Sequence, residues 1–195
     1  LNQGGTELDP SSFVAAFGIT FMAELGDKTQ LATILLSTRY RPGSVFAGAL
    51  LGISIVGCLS VALGAAIGDL LPGQLVGMVC GSVLIILGLK TVASGGEGIR
   101  VGRDRSPFLT SFATIALMEF GDKTQFSLIA LSARYGSPLT VLAGAVLAYV
   151  LLMGAGVLLG RGLTRLLPVR TLRTLAGCAL LVLGAVFVLA SAGVI

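Results

Sequence analysis

The chain holds 195 residues, of which 11% are charged and 55% hydrophobic, and its mean hydropathy is +0.99. A soluble domain carries roughly a quarter charged residues, so this composition excludes an ordinary soluble enzyme, a disordered chain and a disulfide scaffold, and predicts an integral membrane protein. The formal net charge of +4 does not indicate nucleic acid as a partner, because the basic residues fall in short loops between apolar stretches, where they act as topology signals.

The chain begins at Leu1, and its first ten residues lack a signal-peptide pattern. A bilayer-spanning helix needs about 20 mostly apolar residues. In chain order, six segments qualify: Ser12–Thr38, Val45–Leu70, Leu75–Ala93, Leu109–Ala133, Leu139–Leu159 and Leu172–Ala192. The expected fold class is therefore an all-α integral membrane protein with six transmembrane helices. Pro42, Pro72, Pro107, Pro138 and Pro168 mark the boundaries. The three cysteines, Cys58, Cys80 and Cys178, sit singly in apolar runs and read as small packing residues.

The two halves are copies. Ala23–Tyr40 aligns on Met118–Tyr135 at an offset of 95 with 11 identities in 18 positions. One inserted residue makes the offset 96, which pairs Pro42 with Pro138, Gly48 with Gly144, Gly81 with Gly177 and Gly88 with Gly184. The expected organisation is a first three-helix repeat at 1–93, a cytoplasmic linker at 94–106 and a second three-helix repeat at 107–195. An odd number of spans per repeat inverts the second copy. With both termini outside, ten basic loop residues lie inside and only Arg134 lies outside, a strong positive-inside bias. Inverted repeats are a transporter architecture with a site near the membrane midplane.

Charges deep in the spans form two matching clusters: Glu24, Asp27 and Lys28, and Glu119, Asp122 and Lys123. Glu24 lies 12 residues from Ser12, and Glu119 lies 12 from Pro107, near mid-membrane at about 1.5 Å per residue. An ionised side chain there costs at least about 2.5–3.5 kcal/mol and is a functional candidate by default. Helical spacing predicts Glu24 and Asp27 on one face with Lys28 beside them, and the same for the second cluster. Four carboxylates less two lysines leave a formal −2, which one divalent cation or two protons neutralise equally. The metal candidates are thus Glu24, Asp27, Glu119 and Asp122. Thr29, Gln30, Thr124 and Gln125 are supporting oxygen ligands, Lys28 and Lys123 tune the charge, and Gly26 and Gly121 permit a helix break. With no histidine in the chain and no cysteine in either cluster, oxygen-only ligation suits calcium, magnesium or manganese.

Glu24-Leu-Gly-Asp-Lys-Thr29 and Glu119-Phe-Gly-Asp-Lys-Thr124 resemble the duplicated Glu-x-Gly-Asp-(Lys/Arg)-(Thr/Ser) signature of the transmembrane-protein-165 family of manganese/calcium cation:proton exchangers. The resemblance covers essentially the whole chain. It implies a non-enzymatic transporter without a cofactor, moving Mn²⁺ or Ca²⁺ against protons and exporting the metal across a bacterial inner membrane. It also assigns metal binding to Glu24, Asp27, Glu119 and Asp122. The middle loop is shorter than in larger members of that family.

Two other classes share parts of the pattern. A six-span amino-acid exporter has this architecture but needs groups for an ammonium and a carboxylate together. An intramembrane aspartyl protease has paired aspartates, yet a lysine after each one disfavours a shared-proton dyad. A channel differs from an exchanger in ignoring an opposing proton gradient. Substrates are the divalent ion and protons, the surroundings are membrane lipid, and GxxxG spacings such as Gly48/Gly52 and Gly64/Gly68 fit packing within one bundle better than a homodimer face. Asp69 ends a span and is expected to face water. Arg39 and Arg134 are repeat mates on opposite membrane sides, suited to anchoring or gating.

Overall fold

The structure, a computed structural model, describes residues 9–93, 106–159 and 169–194. Among these, the chain forms helices and no strands: α1 (Pro10–Glu24), α2 (Lys28–Ser37), α3 (Pro42–Leu70), α4 (Gly73–Ala93), α5 (Pro107–Glu119), α6 (Lys123–Tyr135), α7 (Pro138–Leu159) and α8 (Val169–Ser191). Helices α1, α3, α5 and α7 open on proline, whose fixed φ and missing N–H suit a first turn. Asp9 caps α1 by accepting the Ser11 and Ser12 N–H groups, and Ser106 caps α5 by accepting that of Leu109. The linker at 94–105 and the basic residues Arg161 and Arg165 lie outside the described residues.

Helices α3, α4 and α7 are each long and apolar enough to cross a membrane, at 29, 21 and 21 residues, the last counted over Pro138–Leu158. The chain is a helical membrane protein. The expected spans Ser12–Thr38 and Leu109–Ala133 are interrupted at Gly26 and Gly121, the positions that permit a break. Each is a pair of shorter helices, α1 with α2 and α5 with α6, interrupted at a glycine of positive φ between the two carboxylates. Consequently Glu24 and Asp27 do not stack at helical i, i+3 spacing. One ends a helix and the other caps the next.

Close backbone approach accounts for the glycines at the helix–helix contacts. Helix α3 lies on α5, α1 on α7, and α4 on α8. A Cβ on Gly52 would stand 2.7 Å from the Phe112 carbonyl of α5, and one on Gly144 would stand 2.6 Å from the Phe13 carbonyl of α1. Between α4 and α8 the contacts are reciprocal. Gly81 would meet the Gly184 carbonyl at 2.7 Å and Gly184 the Gly81 carbonyl at 2.6 Å, while Gly88 and Gly177 would each meet the other's carbonyl at 2.9 Å. Gly64 and Gly68 press on Ile129 and Ala133 of α6. These small-residue stripes are thus occupied within one chain.

The core runs through Ile53, Ile115, Leu128, Leu131 and Tyr149. Outside it, Val14, Leu63, Leu117 and Leu158 are exposed apolar side chains, as a lipid-facing surface requires. Cys58, Cys80 and Cys178 are unpaired. Asp69 lies exposed near the end of α3. Arg134 holds its guanidinium 5.8 Å from the Phe187 ring of α8, and Phe187 meets Tyr135 edge-on.

Candidate metal site

Each break is made the same way. Leu25 turns extended and Gly26 takes φ +73°, and in the second copy Phe120 turns extended and Gly121 takes φ +80°. A side chain at such a φ is disfavoured by about 1–2 kcal/mol, so glycine is the residue that lets the helix stop there. In an unbroken helix the Gly26 N–H would donate to the Met22 carbonyl. It donates instead to Gln30 Oε1 at 2.7 Å, and the Gly121 N–H donates to Gln125 Oε1 at 2.6 Å. Asp27 and Asp122 N–H groups donate to the Glu24 and Glu119 carbonyls at 3.1 Å, one residue short of the helical partner. The Ala23 and Met118 carbonyls are released from their usual donors by that shift.

Asp27 caps α2 and Asp122 caps α6, but neither carboxylate accepts a capping bond from its own helix. Both side chains turn inward. There they meet Glu24 and Glu119, which are buried to 3% and 1% exposure. One oxygen from each of the four carboxylates lies within 4.8 Å of the others. Residues 95 positions apart in sequence therefore share one point in space.

The contacts that organise this point cross between the two motifs. The Thr29 hydroxyl donates to Glu119 Oε1, and the Thr124 hydroxyl donates to Glu24 Oε1. Lys28 Nζ stands 3.0 Å from Asp122 Oδ1, and Lys123 Nζ stands 2.6 Å from Asp27 Oδ2. Lys123 also reaches Asp122 Oδ2 at 3.4 Å. Helical spacing had suggested lysines paired with acids of their own helix. The break moves each ammonium onto the aspartate of the other copy.

All the candidate residues from the sequence lie in or beside this cluster, with different tasks. Gln30 and Gln125 have their amide oxygens turned to the glycine N–H groups, so in this geometry they brace the breaks. Gln30 also donates its Nε2 to the Leu152 carbonyl at 3.3 Å. Two neighbours escaped the sequence reading: Thr20, one turn before Glu24, and Tyr149 on α7, both buried. For Tyr149 a signal existed, since it is the one aromatic polar residue in the fifth apolar span and its mate at offset 96 is Ile53.

A buried, oxygen-only cluster on two broken helices, within a bundle of apolar helices, is the construction of a membrane carrier for a hard cation. The chain belongs to the family described as Divalent cation/proton antiporter GDT1, which it matches over residues 12–98 and again over residues 107–194. That places it among transporters and not among enzymes. It is 34% identical over 164 residues to a Vibrio cholerae protein named "Putative manganese exporter", covering 83% of this chain and 82% of that one. It is 29% identical over 212 residues to the Arabidopsis thaliana Protein PAM71, chloroplastic, covering 91% of this chain but 56% of the chloroplast protein. Against GDT1-like protein 5 of Arabidopsis thaliana it is 26% identical over 212 residues, covering 88% and 92% of the two chains. No solved structure matches the chain.

Proposed function

We propose that this protein exports a divalent cation, manganese foremost with calcium as the second candidate, in exchange for protons at a single site built by Glu24, Asp27, Glu119 and Asp122. The observation that carries the reading is the meeting of both acidic motifs at one buried point, with four carboxylate oxygens inside 4.8 Å. That spacing suits a shared ion at usual metal–oxygen lengths of about 2.0–2.6 Å. Manganese is chosen on ligand type together with the name of the Vibrio cholerae relative.

In this reading each broken helix pair crosses the bilayer as one span. The result is six spans in two three-helix repeats of opposite orientation, at 1–93 and 107–195, joined by a cytoplasmic linker at 94–106. Both termini lie outside a bacterial inner membrane, with lipid against the apolar surface. The reciprocal glycine contacts of α4 with α8 and the matched pair of contacts at Gly52 and Gly144 support a two-fold relation, and the basic loops support the orientation.

Charge balance supplies the coupling. Four carboxylates and two ammonium groups sum to −2. A divalent ion cancels this, and so do two protons, while the fully charged site is too poorly solvated to cross the barrier. The rocking step therefore favours the metal-loaded and the protonated forms, which turns competition at one site into exchange. Both aspartates hold ammonium partners, unlike the shared-proton pair of an aspartyl protease.

The test is flux in proteoliposomes for manganese, calcium and magnesium, with and without a pH gradient. Manganese movement should be driven by an opposing proton gradient and should acidify the opposite compartment, and apparent affinity should weaken as pH falls. Glu24→Gln and Glu119→Gln should each abolish most transport. Flux indifferent to a collapsed pH gradient would make the protein a channel or uniporter.

A further inference from the structure

Every charged or amide group of the site has a mate in the other motif, but two buried polar side chains around Glu24 do not. Tyr149 on α7 is 2% exposed, and its counterpart at offset 96 is Ile53, 1% exposed. Thr20 on α1 is 1% exposed, and its counterpart at offset 95 is Ile115, fully buried. These two polar side chains therefore fall beside Glu24, outside the pairing that relates the two motifs.

Beside Glu24 lies a cavity of about 10 Å³, lined by Glu24, Gln30, Tyr149, Leu152 and Met153. That is about the least volume that holds a single water molecule, which also needs two to four polar partners. Among the lining residues, Glu24, Gln30 and Tyr149 carry a carboxylate, an amide and a phenol. Gln30 is fixed at both ends, by the Gly26 N–H and the Leu152 carbonyl, and its Nε2 keeps a second hydrogen to donate. One turn before Glu24, the Thr20 hydroxyl is buried with no partner, at the i, i+4 spacing that puts it on the Glu24 face of α1. At the corresponding place beside Glu119, the mates of Tyr149, Leu152 and Met153 are Ile53, Val56 and Gly57. They offer no side-chain donor or acceptor.

We propose that Tyr149 is a positioning residue that seats one water against Glu24, and that this water completes the coordination of the transported divalent cation on that side alone. The ion is then held directly by carboxylate oxygens and, on the Glu24 face, also through one retained water. An ion that exchanges water readily and tolerates mixed coordination fits such a shell, and one that keeps several waters fits it poorly. The inference rests on the metal site proposed above. It adds an asymmetry that the two motifs do not contain.

The experiment uses the purified full chain loaded with Mn²⁺ and compares it with Tyr149→Phe, which keeps the ring and removes one oxygen. Pulsed electron paramagnetic resonance after exchange into D₂O counts the water deuterons coupled to the bound manganese. The unaltered protein should show one more coordinated water than Tyr149→Phe. The variant should bind Mn²⁺ about five- to tenfold more weakly, the effect of one lost hydrogen bond, at nearly unchanged thermal stability without metal. A purely packing role would lower the stability and leave the water count alone. Equal water counts and equal affinities in the two proteins would overturn the proposal while leaving the metal site standing. Failure of the unaltered protein to bind Mn²⁺ would overturn the site and this inference together.

Discussion

Replacing Lys123 with methionine removes one charge from the cluster while keeping an unbranched stem. Its Nζ stands 2.6 Å from Asp27 Oδ2 and 3.4 Å from Asp122 Oδ2, and the Lys123 side chain is 11% exposed. Deleting one partner of a buried pair costs about 3–5 kcal/mol. Asp27 keeps 20% of its side-chain exposure, so water screens part of the loss and about 3 kcal/mol is the appropriate figure. The loss falls on the metal-free protein, whose cluster goes from −2 to −3. A bound divalent ion relieves it. If half to all of the strain is recovered on binding, manganese affinity rises about 10- to 100-fold, at about 1.4 kcal/mol per tenfold. Lys28→Met should do less, because that pair is 3.0 Å long and the Lys28 side chain is 23% exposed. Thermal unfolding of the purified protein, with and without added Mn²⁺, reads both quantities. Lys123→Met should melt lower without metal and gain more from it, and the added change Asp27→Asn should restore most of the metal-free stability. Manganese binding by Lys123→Met no tighter than by the unaltered protein, or a larger effect from Lys28→Met, would refute the argument.

Three further outcomes follow from local geometry. Thr29→Val and Thr124→Val each remove a hydroxyl that donates to the opposite glutamate, so each should lower metal-free stability by about 1–3 kcal/mol and by similar amounts, read by denaturation of the two variants in parallel. Gly144→Ala drives a Cβ to 2.6 Å from the Phe13 carbonyl and 3.0 Å from the Phe17 nitrogen and should cost about 1–3 kcal/mol by forcing α1 from α7. Gly18→Ala, with nothing within 4 Å, should not destabilise in the same unfolding assay. Asp9, at the water-facing start of α1, has its pKa held below 3.8, first by the Ser11 hydroxyl. Its capping contribution is therefore present above that value and lost as pH falls through the lower folded pKa. Asp9→Ala should fray the start of α1 at neutral pH and match the unaltered protein in strong acid, as amide exchange at Phe13 would report.

The apolar helices and the two acidic motifs whose carboxylates converge were legible because both are written in composition. Apolar runs, prolines at their ends and the two acidic motifs located the elements and gathered the carboxylates without reference to distance. The sequence marks Gly26 and Gly121 as places where the first and fourth spans can break, but not what makes them break. A glycine inside an apolar run is compatible with an unbroken membrane helix, and what decides for a break is the alternative acceptor that Gln30 or Gln125 offers to the freed N–H. The pairing of Lys28 with Asp122, and of Lys123 with Asp27, was hidden for the same reason. Helical spacing describes neighbours on one cylinder, and the break turns those neighbours toward the other motif. Tyr149 lies outside both motifs and is polar in one copy only, opposite Ile53, so neither motif nor repeat points to it.

The crossing of these contacts bears on how the two copies can change over generations. Thr124 serves Glu24 and Thr29 serves Glu119, so a substitution in one motif is felt first by the residue retained in the other. Neither copy can drift alone without disturbing the glutamate of its twin. Positions that face lipid or a neighbouring apolar helix carry no such debt and are free to diverge. The 11 identities packed into 18 positions around the breaks are what two sequences look like when each is the other's environment.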